Sequence, residues 1–203
     1  GGQGMDPTRA AKDVTDYGFL FREKYVDDNG KTIVDLSKYN SSTGSSWGRS
    51  GVPDAVKERC KEYNVGKSIR PKTREQALDL FANGYACHSG QGWGCSSKTP
   101  KDGINRRQGG WNHDMATTGY DFTKEFFKEE VFFVNQSWGP WNMVNPVWKA
   151  NEDVYGPWIT GMIVIPAEEW FDHFYGGGSI HFYSEINGFQ QRTLPAFHVP
   201  GIF

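Results

Sequence analysis

Long hydrophobic runs are missing. No apolar segment in the 203 residues approaches the roughly 20 consecutive residues that a membrane-spanning helix needs. Nor do the first residues show a basic stretch followed by an apolar one, so a soluble chain with no export signal and no membrane partner is expected. An excess of charge is missing too: 22 basic residues stand against 24 acidic ones. A net charge of −2 supplies no field that would gather nucleic acid or an anionic bilayer. Cysteine is scarce, with Cys60, Cys87 and Cys95 too few for a disulfide scaffold, although Cys87 and Cys95 are near enough in sequence to close a small loop. Their spacing with His88 fits no common zinc pattern, and His173 with Asp172 and His181 lacks the spacing of helical ligand pairs, so neither metal nor cofactor is implied. Internal repeats and low-complexity tracts are also lacking.

What is abundant is aromatic and glycine. Eight tryptophans within a 15% aromatic content, together with 25 glycines, suit a β-rich, loop-rich globule with a groove for peptide or sugar. The length allows one domain with a substantial core, or two small lobes sharing an interface. Capped helices come first. Asp6 as N-cap, Pro7 at the first helical position and Gly18 as the stop predict one helix, followed by an extended piece from Phe19 and a turn over Asp27-Asp28-Asn29-Gly30. The Ser/Gly-rich stretch from Ser41 to Gly51 reads as an ordered loop anchored by Trp47. Pro53 to Tyr63 predicts a second helix with Cys60 on its buried face, and the capping box at Thr73-Arg74-Glu75-Gln76 a third, closing at Asn83-Gly84. Beyond Gly84, strands are expected over 85–89, 112–120, 131–136, 158–165 and 179–185, with one short helix over 167–174. Helices ahead of strands predict an α+β chain: a single domain over 1–203, mostly helical over 1–84 and β-rich over 85–203, with an antiparallel sheet or barrel in the C-terminal half.

Chemistry concentrates where the strand Val131-Phe132-Phe133-Val134 ends in Asn135-Gln136-Ser137-Trp138-Gly139. Upstream, Trp111-Asn112-His113-Asp114-Met115 opens another strand, with Met115 and Thr117 alternating on the His113 face. Two neighbouring strands then hold an imidazole and an amide within reach of each other, the half of a nucleophilic dyad in which the amide sets the ring tautomer and the ring activates a thiol. Asn135 and Gln136 must point to opposite faces, so one of the two meets His113; Gln136 is the favoured residue. Ser137 has no nucleophile elbow around it. His88, His173, His181 and His198 read as surface or hydrogen-bonded side chains, and Trp141, Trp148, Trp158 and Trp170 as packing residues.

These residues resemble the histidine and asparagine motifs of papain-like cysteine peptidases. Asn112-His113 with Gly119-Tyr120, then Gln136-Ser137-Trp138-Gly139-Pro140, carry the likeness, which covers about the C-terminal two-thirds of the family pattern. Pro7, Ala10, Tyr17-Gly18, Arg22 and Tyr25 resemble the segment that follows the family's glycine pair, and Ala82-Asn83-Gly84-Tyr85 adds the texture of phage- and bacterium-encoded members. The resemblance implies a two-lobe fold, hydrolysis of a peptide or protein substrate, His113 and Gln136 or Asn135 as catalytic, Trp138 covering the histidine–amide bond, and Gly4, Asn112 and Trp138 near substrate. The location is left open, a virion or the extracellular space being the candidates for a soluble chain.

Two departures stand out. Gln136 occupies the family's asparagine position and Met5 that of one substrate-binding glycine. The cysteine helix of the family should precede Gly4, so the nucleophile is expected from an upstream segment or a second chain. Gln91-Gly92-Trp93-Gly94-Cys95-Ser96 imitates the nucleophile motif, but Ser97-Lys98-Thr99-Pro100 cannot continue as the helix whose dipole lowers a thiol pKa. The competing expectation keeps the fold and drops the reaction: an inactive papain-like structural or binding module, as on a virus particle.

Overall fold

A computed structural model describes residues 6–38, 40–138, 141–142 and 144–186. They form two compact units, residues 6–68 with 184–186, and residues 69–183. In the first unit, helix α1 (Pro7–Tyr17) starts with Asp6 accepting from the Arg9 amide at 3.0 Å. Gly18 ends it at φ 82°, and a Cβ there would lie 2.0 Å from the Cys60 carbonyl oxygen. Both the dihedral and the close approach demand glycine. Strands β1 (Lys24–Val26) and β2 (Thr32–Asp35) form an antiparallel hairpin across the turn at 27–30.

The stretch expected as a Trp47-anchored loop is instead helix α2 (Ser41–Ser50). Asn40 accepts from the amides of Ser42 and Thr43, and Gly51 stops the helix at φ 82° while donating to the Trp47 carbonyl. Thr43 and Trp47, one turn apart, face a cleft lined by Leu20, Phe21 and Leu36, so capping and one apolar stripe override the poor helix propensity of serine and glycine. Helix α3 (Asp54–Cys60) runs into a 3-10 turn, Lys61–Tyr63; Cys60, expected in the core, is only partly buried. Strand β3 (Val65–Ile69) follows.

The second unit opens with helix α4 (Arg74–Ala82), where Thr73 accepts from the Gln76 amide at 3.2 Å. Then come β4 (Cys87–Gln91), β5 (His113–Asp121), β6 (Val131–Asn135), the short helices α5 (Pro146–Ala150) and α6 (Glu152–Tyr155), β7 (Met162–Pro166), α7 (Ala167–Trp170) with a π-helical turn to Gly176, and β8 (Ser179–Ile186). The sheet order is β3-β8-β4-β5-β6-β7, antiparallel at every pairing from β8 to β7. Seven α-helices among the described residues and this six-stranded sheet make a mixed helix-and-strand fold. The barrel alternative is corrected: β7 pairs only with β6 among the described residues, so the sheet stays open.

One face of the sheet carries an apolar layer that reaches from β8 through β4, β5 and β6 to β7, and the other carries one over β6 and β7. On one face, Cys87, Met115, Phe132, Val134, Ile163 and Phe182 pack under Phe81 of α4 and Trp170 of α7. Phe81 meets Trp170 and Phe182 edge-on at 5.6 and 5.0 Å. On the other face, Val131, Phe133, Met162 and Val164 pack with Ile104, Phe127 and Trp148. β6 and β7 are therefore buried on both sides and read as continuous apolar runs rather than alternating ones. The long β4–β5 connection is tied down as it passes: the Asn105 amide donates to the Val164 carbonyl at 2.7 Å, and the Asn105 side-chain oxygen accepts from the Val164 amide at 3.2 Å. Glu169 accepts from the Trp93 indole and the Arg107 amide at 2.7 and 3.0 Å.

Candidate functional site

His113 begins β5, opposite Gln91 of β4, whose side-chain nitrogen donates to the His113 carbonyl at 3.4 Å. Alternation carries the His113 face through Met115 and Thr117, both buried, and the Thr117 hydroxyl accepts from the Trp170 indole at 2.9 Å. The strand's far half is thus pinned in the core, which leaves its first residue, the histidine, only partly covered.

Across the sheet, Asn135 pairs with Ala116, one residue before Gln136 in the same run. Alternation puts Gln136 on the face of Val134, Thr117 and His113, and Asn135 on the opposite face. A register shift between Thr117 and Gly119 displaces Thr118, and the Asn135 amide nitrogen donates to the Thr118 hydroxyl at 3.1 Å. Of the two amides, Gln136 shares the face of the imidazole and Asn135 does not.

The Trp138 indole stacks on the His113 ring with centroids 4.5 Å apart and planes 17° from parallel, though Trp138 itself is 43% exposed. Trp111 and Trp141 meet Trp138 edge-on at 4.9 and 5.6 Å and each other at 5.1 Å. Burial beneath this cluster pulls the His113 pKa below its usual 6.5, with the neighbouring Asp114 charge opposing it. That direction favours the neutral imidazole, the state that a general base requires.

Gln136 is buried, and its side-chain oxygen accepts from the Trp138 amide at 2.6 Å. Because that amide can only donate, the oxygen–nitrogen assignment of Gln136 is fixed. The amide nitrogen is what Gln136 has left to offer, and it and His113 Nε2 are both buried without a hydrogen-bond partner. Among the described residues these are complementary orphans, one a donor and the other an acceptor in the Nδ1–H tautomer.

Gly4, Gly139 and Pro140 lie outside the described residues, as does His198. Asn112 is exposed just ahead of β5. Cys87 and Cys95 are free thiols, both buried, and burial pushes each up to about 12; Cys60 is also raised by burial. Such thiols are inert at neutral pH. No group of three or more metal-ligating side chains occurs among the described residues, and none of their helices is long and apolar enough to cross a membrane. The tryptophan cluster was invisible to a linear reading, because Trp111, Trp138 and Trp141 meet only once β5 and β6 pair. No protein-family profile, curated protein or solved structure matches the chain.

Proposed function

We propose that the chain has a papain-like fold and carries the histidine half of a thiol peptidase site: His113 as general base, Gln136 as the amide that orients its ring, and Trp138 as the cover that keeps water from it. The observation that supports the reading is the stack of Trp138 on a partly buried His113, with Gln136 on the same face of the sheet. In this proposal the thiol comes from a segment preceding Gly1 or from a second chain, since the three cysteines of the 203 residues are raised by burial. The thiol would pass its proton to His113 and attack a peptide carbonyl; His113 would return the proton to the leaving amine. A peptide or protein substrate and a virion or extracellular location belong to the same proposal.

A second reading, an inactive papain-like binding module, draws support from Gln136. Its oxygen is committed to the Trp138 amide, whereas an orienting amide in the family accepts from the ring with that atom. Incubating the 203-residue chain with an unfolded protein substrate, with and without a thiol-alkylating inhibitor, is expected to give no inhibitor-sensitive cleavage. Cleavage that alkylation abolishes would instead make Cys95 the nucleophile. Repeating the assay on the gene's full reading frame then separates the readings: cleavage lost on His113→Ala supports the peptidase, and none at all supports the module.

A further inference from the structure

His113 and Asp114 are successive residues of β5, so they project from opposite faces of the sheet. On the Asp114 face a second line of polar side chains crosses three strands. His88 of β4 pairs directly with His181 of β8, and its diagonal neighbours are Tyr183 on β8 and Asp114 on β5. His88 Nδ1 lies 2.8 and 3.0 Å from the two Asp114 carboxylate oxygens, and His88 Nε2 lies 2.5 Å from the Tyr183 hydroxyl. We propose that Tyr183 is the nucleophile of a second reactive site, activated by His88 and Asp114, that takes an uncharged acyl donor such as an ester.

A carboxylate only accepts, so the neutral imidazole carries its hydrogen on Nδ1 and presents a lone pair at Nε2. With the imidazole in that state the Tyr183 hydroxyl is the donor in the short contact, its proton pointed at a base. Rings hold the line in place: the His88 ring lies near parallel to those of two β8 residues, His181 at 5.5 Å and 19° and Tyr183 at 5.3 Å and 11°. Side chains locked by packing on three paired strands are pre-organised to a degree that loop residues are not. The site also opens to solvent, with the His88 side chain 18% and the Asp114 side chain 38% exposed.

Burial and the Asp114 charge push the phenol above its usual 10, so a free phenolate does not form near neutrality. The proton leaves only as attack proceeds. The Tyr183 oxygen bonds to the acyl carbon, its proton passes to His88 Nε2, the bond from acyl carbon to the leaving oxygen breaks, and the alcohol departs with the proton from His88. The acyl group stays on Tyr183 until water, giving a proton to the same imidazole, attacks the acyl carbon; the bond from that carbon to the Tyr183 oxygen then breaks, the oxygen takes the proton back from His88, and the acyl group leaves as a carboxylic acid. The negative Asp114 carboxylate disfavours phosphoryl and sulfuryl anions by Coulomb repulsion, which leaves a neutral acyl group as the matching electrophile.

The test uses p-nitrophenyl acetate on the intact chain, with nitrophenolate release followed by absorbance and the acetyl group located by peptide mass spectrometry. Tyr17, which is 54% exposed, serves as the internal reference. Tyr183 should be acetylated at least about tenfold faster than Tyr17, well within what a positioned base supplies. Asp114→Asn keeps the shape but lets an amide N–H donate to Nδ1, which places the ring hydrogen on Nε2 and blocks proton acceptance. Labelling of Tyr183 should then fall about tenfold or more with Tyr17 unchanged. His113→Ala should leave Tyr183 labelling intact, so this site stands or falls apart from the peptidase reading. Equal labelling of Tyr183 and Tyr17, no effect of Asp114→Asn, or acetyl found on His88 instead of Tyr183 would each overturn the proposal.

Discussion

At the scale of single residues, His113 is governed by what lies on top of it. The indole of Trp138 removes water from the ring, and that desolvation lowers the pKa. Removing the cover with Trp138→Ala should raise the His113 pKa back toward 6.5, as read by NMR titration of the ring. Asn135→Ala should leave it unmoved, because Asn135 belongs to the other face. The linkage has a definite sign. A folded-state pKa below the unfolded value means that the unfolded chain binds the proton more readily, so the His113 contribution is intact above pH 6.5 and is lost as pH falls toward the depressed value. A urea midpoint that falls through that window in wild type, and falls less in Trp138→Ala, is the matching equilibrium observation.

At the scale of elements, β5 and β6 were legible in the sequence because their signals are local: a β-branched and aromatic run, a two-residue alternation, and polar residues at the strand end. His113 and Gln136 fall on one face by the same alternation. Helix α2 was not legible, because its serines and glycines vote for a loop and its decisive features are two caps and the contact surface of Trp47. Such a helix depends on its cap more than an alanine-rich one would. Asn40→Ala removes the acceptor for the Ser42 and Thr43 amides and should cost about 0.5–2 kcal/mol in chemical denaturation. An unchanged midpoint would mean that the Trp47 contact alone holds the helix.

At the scale of the whole chain, residues far apart in sequence come together by pairing rules that no local window contains. His88, Asp114 and Tyr183 meet only because β4 lies between β5 and β8. Periodicity names the faces but does not order the strands, so His88 could be read as hydrogen-bonded and not as the middle of a line. The open sheet has the same origin. Alternating and continuous apolar runs are compatible with either a barrel or a two-faced sheet, and the choice rests on which connecting segments supply the second cover, here through Ile104, Phe127 and Trp148.

The doubly bonded Asn105 beside β7 has a consequence for colloidal behaviour. Among the described residues β7 is the outermost strand on its side, every one of its residues is buried, and without a neighbour its backbone would be a template for strands of other molecules. Asn105 acts as a one-residue stopper that occupies both hydrogen-bonding groups of Val164. Asn105→Ala frees the Val164 amide, and light scattering at rising concentration should show it forming larger particles than wild type while its far-ultraviolet circular dichroism stays the same.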